Sequence, residues 1–159
     1  MIFSSGDVLT AANLNSAIPI VQVIQDQTET AYTTTSTTYV QISDLTVDIT
    51  PQSTASTLLV IATFQVGHNP NTGGFVQIQR EGSPITLDPA GWFYNGNENT
   101  EYSGQTLSLV CKESPSSTAE QNFTCWYKGE NGNGVAINRS WAGSTGQVGP
   151  STLTVMELA

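Results

Sequence analysis

From residue 20 onward the chain consists of strand-length phrases. Apolar and β-branched residues alternate or cluster for a few positions, then yield to Gly, Pro, Asn, Ser or Thr, with no amphipathic stretch of helical length between them. A period of two puts alternate side chains on opposite faces, so such phrases bury one face of a sheet and wet the other. Ile20 to Ile24 is a β-branched run. Tyr39 to Ile49 changes phase: Val40 and Ile42 share one parity, whereas Leu45, Val47 and Ile49 share the other. A strand cannot switch faces without an extra residue, which predicts a bulge near Ser43-Asp44. Pro51 ends that strand, and PQSTAS follows as a loop. Leu58 to Val66 (LLVIATFQV) opens apolar on both parities and predicts a strand covered on both faces. Phe75 to Glu81, Leu107 to Cys111, Phe123 to Tyr127, Val135 to Asn138 and Leu153 to Met156 complete about eight strands, with Gly82-Ser83-Pro84 as a turn. The fold class this implies is all-β: an antiparallel β-sandwich, jelly-roll-like, over residues 20–159.

Residues 1–19 are a different kind of sequence. Thr10 is placed to cap a short helix over Ala11 to Ala17, stopped by Pro19, with Leu14 and Ile18 on one side of it. So short a helix is marginal alone in water, and its apolar residues need a partner. We therefore expect an N-terminal arm (1–19) that attaches or trimerises through Phe3, Val8, Leu9, Leu14 and Ile18. The start, MIFSSGDVLT, has neither a basic nor a continuous apolar region, which predicts no signal peptide and a chain kept in the cytosol where it is made. No apolar run approaches the length of a membrane span.

Charge narrows the function. Only 11% of the 159 residues are charged, against about a quarter in an average domain. Thirteen carboxylates face four cations (Arg80, Lys112, Lys128, Arg139), for a net charge of −9. Nucleic-acid affinity comes largely from Lys and Arg neutralising phosphates, so neither nucleic acid nor an anionic membrane is an expected partner. A polar surface made of Ser, Thr, Asn, Gln and Gly suits a chain that packs beside copies of itself, because a charge near a symmetry axis meets its own like charge.

Candidate chemistry is thin. His68, the single histidine, precedes Asn69-Pro70 and is expected on an exposed loop without a catalytic partner. Cys111 and Cys125 lie in segments that pair as a hairpin centred near Thr118. A cross-strand disulfide and two buried free thiols are both open, the thiols being expected in a reducing cytosol. Neither cysteine has zinc-ligand spacing, so no metal or other cofactor is expected. Residues 88–104 (DPAGWFYNGNENTEYSG) form a long polar loop holding an aromatic cluster. Glu98 and Glu101 there are the best pair for glycoside hydrolysis, and Asp88 adds an oxygen ligand for calcium, but solvated loop acids are the plainer reading. We expect no enzyme. Trp92, Phe93 and Tyr94, with Asn95, Asn97 and the separate Trp141, have two readings: a contact tip for host-surface groups, through Trp92, Tyr94, Asn95, Asn97 and Trp141, or anchors that pin the loop to the end of the sandwich. The sequons Asn122-Phe-Thr124 and Asn138-Arg-Ser140 are chance matches in a cytosolic protein.

Two segments resemble bacteriophage structural proteins. FSSGDVLTAANLNSAI resembles the N-terminal segment of phage tail-fibre and related virion proteins. Tyr39 followed by LTVDITPQSTASTLLVIATFQVG, then VAINRS (135–140) and STLTVMEL (151–158), resembles a β-rich domain of cyanophage and marine-phage structural proteins. The resemblance implies a homotrimeric β-sandwich on the virion, assembled in the host cytoplasm. It would be a short tail fibre or baseplate appendage that partners other virion structural proteins and contacts host cell-surface polysaccharide. The alternative is a capsid decoration protein.

Overall fold

The computed structural model describes residues 20–68, 72–86, 91–95, 104–132, 134–139 and 149–159, with residues 94 and 95 described by backbone only. These form eleven strands in two antiparallel sheets packed face to face. The strands are β1 (Ile20–Thr28), β2 (Tyr32–Thr34), β3 (Val40–Ile49), β4 (Thr57–His68), β5 (Thr72–Arg80), β6 (Ser83–Pro84), β7 (Trp92–Asn95), β8 (Gly104–Glu113), β9 (Gln121–Gly129), β10 (Val135–Ile137) and β11 (Ser151–Leu158).

Sheet A runs β1-β11-β4, with β8 on the far side of β4; β10 pairs with β4 at Val66–His68, beyond the end of β11, and β2 follows β10. Sheet B runs β3-β9-β5, and both β6 and β7 pair with the remaining side of β5. The inward rows of both sheets make a single core: Leu58, Val60, Ala62, Phe64, Leu153 and Val155 from sheet A meet Val47, Ile49, Val76, Ile78, Phe123 and Tyr127 from sheet B. β-Branched and aromatic residues supply most of it, as suits a pleated, half-buried surface.

The phase change in β3 is a bulge as expected: pairing with β9 jumps from Gln41↔Trp126 to Thr46↔Thr124, which lets Ile42 and Leu45 both turn inward despite opposite parity. Other expectations are corrected. β4 is not covered on both faces. Its inward residues are fully buried while Leu59, Ile61, Thr63 and Gln65 on the other face are half-buried, because a strand central in its sheet has neighbours on both edges but need not have a layer on each side. Cys111 and Cys125 do not face each other across a hairpin. β8 pairs with β4 in sheet A and β9 with β3 and β5 in sheet B, so residues 114–120 cross between sheets. Both cysteines are free thiols. The turn after β5 sits one residue earlier than Gly82-Ser83-Pro84. Glu81 and Gly82 take φ values of 50° and 73°, the paired left-handed geometry that closes a tight hairpin, and Ser83–Pro84 already pair back onto Arg80 and Gln79. Part of the expected 88–104 loop is strand: Trp92–Asn95 form β7 against Thr72–Phe75.

Candidate functional site: assembly and contact surfaces

The outer face of sheet A is built by register. One row crosses the sheet through Val23, Met156, Leu59 and Lys112, and the next through Gln25, Thr154, Ile61 and Val110. A third row holds Gln27, Thr152, Thr63 and Ser108, whose Thr63 and Ser108 hydroxyls lie 3.2 Å apart. Along these strands the outward positions carry no carboxylate, and Lys112 is their one charge. The acids of β1, β11 and β8 take inward parity instead: Asp26 Oδ2 accepts from Thr46 N at 3.0 Å, Glu157 is fully buried, and Glu113 pairs with Arg80 Nη2 at 3.2 Å. Large apolar side chains remain in water on this face, Val110 at 63% and Val23 at 51% exposure.

The second surface lies at the end of the sandwich where β7 meets β5. Strand alternation splits the aromatic cluster: Phe93 is buried with its ring 5.8 Å from that of His68, and Trp92 is 56% exposed. Phe93 is thus the buried anchor of the loop, and Trp92 stands at the surface. Gly73 is required here. A Cβ on it would fall 2.7 Å from Glu130 Oε2 and 3.1 Å from Trp92 Nε1, so a carboxylate and an indole N–H converge over bare backbone. The backbones of Tyr94 and Asn95 lie opposite Gly73 and Thr72. Asn97, Trp141 and the arm residues Phe3, Val8, Leu9, Leu14 and Ile18 lie outside the described residues, as do Asp88, Glu98 and Glu101. His68 is a correction: it is the last residue of β4 and 2% exposed, not a residue of an exposed loop.

Two buried polar clusters escaped the sequence reading, and both involve the quoted motifs. Glu157, in the closing STLTVMEL, accepts from Gln22 Nε2 at 2.6 Å, from Gln52 N at 2.9 Å and from Ser53 N at 3.2 Å, and so caps the PQSTAS loop. Burial pulls its carboxyl up, but the bonds from Gln22, Gln52, Ser56 and Ser53 outweigh that and hold it below the ordinary carboxylate value. Asn138, in VAINRS, is fully buried with φ 60°. Its Nδ2 donates to Thr28 O and Thr30 O, both at 2.9 Å, and its Oδ1 accepts from Ser151 Oγ at 2.6 Å. An Asn shielded in this way cannot serve as a glycosylation acceptor in the folded chain. Tyr39 lies under Lys128, whose Nζ is 4.3 Å from the ring centroid. No spacing rule in the sequence marks a residue that closes a contact this far along the chain.

Among the described residues, no group of three or more His, Cys, Asp or Glu side chains is arranged to hold a metal ion, and no helix is long and apolar enough to cross a membrane. No family model matches the sequence, and no curated protein matches it. Among solved structures, the chain is similar to dimeric latent PorU from Porphyromonas gingivalis, with a TM-score of 0.50 and 10% identity over 89% of this chain. The likeness spans only 13% of that much longer chain. It shows the fold alone: a two-sheet sandwich that nature also uses as one part of a larger protein.

Proposed function

We propose that this chain is a bacteriophage virion structural protein, a short tail-fibre or baseplate appendage that works by assembling as a homotrimer on other virion proteins. The carboxylate-free outer face of sheet A carries the reading. A chain of net charge −9 that associates with copies of itself needs one face where like charges do not meet, and the described strands present one. The phage resemblance supports the virion setting. Its motif residues Tyr39, Asn138 and Glu157 do structural work, the kind of signature expected of a building block and not of a catalyst. The reading assigns attachment to residues 1–19, and host-surface contact to the end of the sandwich bearing Trp92.

The test uses phage particles. Antibody against this chain should label purified particles, at the tail if the appendage reading holds, and particles that carry none of the chain would sink it. Deleting residues 1–18 should leave a soluble, folded sandwich that no longer incorporates; normal incorporation would reject the attachment role of that segment.

A further inference from the structure

Resting on the assembly reading, we propose that the outer face of sheet A, along its β8 margin, is where copies of this chain pack against one another. Sheet edges are liabilities that proteins normally blunt with bulges, prolines, short strands or a covering element. The other margins follow that practice. β3 is broken by its bulge, and β1 has a register shift between Ile20 and Gln22 and is tied to β3 by Asp26. β2 has three residues, and the free side of β5 is taken up by β6 and β7. β8 carries a single blunting device, the exposed Lys112. It pairs with β4 over ten consecutive residues without a shift or a proline, and among the described residues β4 is its one strand partner.

The side chains agree with the edge. Val110, at mid-strand, is the most exposed large hydrophobic residue described, and Ile61 beside it continues the apolar surface inward. Thr106 and Ser108 add hydroxyls already bonded within the face, to Gln65 and Thr63. Glu113, the lone acid of β8, turns inward to Arg80, and Lys112 has a long stem that keeps its ammonium in water. The occupant that fits is a second copy of this chain. A cationic partner would be drawn to the described carboxylates, none of which lies on the outward positions of these strands, and an acidic one has a single lysine to meet. A neutral face of threonine and aliphatic side chains complements another neutral face, and it is the surface on which two chains of charge −9 approach without opposing acids.

The experiment is light scattering on the full chain and on two variants, Val110→Asp on the face and Thr118→Asp at an exposed position between β8 and β9, with circular dichroism to verify folding. Val110 is solvent-exposed, so the aspartate leaves the fold intact, and Thr118→Asp adds the same charge elsewhere. The expected result is a trimer mass for the wild type and for Thr118→Asp, with Val110→Asp associating at least about 100-fold more weakly because a carboxylate is forced into a neutral contact. A wild type with the 16.9 kDa mass of one chain overturns both this contact and the trimer reading. A multimeric wild type with Val110→Asp unchanged overturns this contact alone.

Discussion

Glu157 and Asn138 show how much a single side chain decides in a chain with so few charges. Glu157, itself fully buried, accepts from two backbone N–H groups of the loop between β3 and β4 and so ties that loop to β11. Removing the carboxylate in Glu157→Ala loses its hydrogen bonds from Gln22, Gln52 and Ser53 and should cost about 1–3 kcal/mol, read as a lowered denaturant midpoint. The pH dependence has a definite sign. Because the folded-state pKa of Glu157 lies below its unfolded value, its contribution is present above the unfolded carboxylate range and is lost as pH falls through the folded pKa. Thermal melts from neutral to acid pH should therefore show a smaller acid-induced loss in Glu157→Gln than in the wild type. An identical acid limb in both proteins would remove this role. The thiols are a second residue-scale case. Burial, with Glu113 adding to it, pushes Cys111 up to about 11, and burial raises Cys125 further, with Cys111 and Asp26 contributing. The thiolate is the reactive form, so alkylation of Cys111 at neutral pH should run roughly 100-fold slower than that of a free thiol. Cys125 should react only after unfolding. Fast labelling of either thiol in the native protein would contradict the burial described.

At the scale of elements, the short strands are the instructive ones. β10 has three residues, too few to hold itself in a sheet by backbone bonds alone, yet it bridges β4 and β2. Asn138 immediately after it fastens that end to the β1 terminus and to Ser151. Its left-handed backbone also suits Asn better than a larger or branched residue. Asn138→Ala should lose about 2–4 kcal/mol. Asn138→Gly, which relieves the backbone but restores no hydrogen bond, should recover about 1 kcal/mol of that. Equal destabilisation by both substitutions would mean the backbone geometry carries nothing. β2, β6 and β7 were not legible as strands in the sequence, since two to four residues hold no readable period and each exists because a longer strand offers it an edge.

For the molecule as a whole, the alternating pattern determined the class of fold, the identity of most core residues and the bulge in β3, because a side-chain period of two and a switch of phase are local properties of the chain. Composition alone states that charges are few, 11% of the residues, and mostly acidic. Which strands pair was decided by tertiary structure, since neighbours in the sequence need not be neighbours in a sandwich. The hairpin drawn through Thr118 became a crossover between sheets, and with it Cys111 and Cys125 moved to opposite layers of the core. The same sorting put the outward residues of β1, β11, β4 and β8, which are separate in the sequence, onto one face, and turned Asp26, Glu113 and Glu157 inward away from it. Local sequence can say that a residue lies on one side of its own strand. Only the pairing of distant strands says what stands beside it, because that neighbour is chosen by the packing of the two sheets and not by the chain that leads to it.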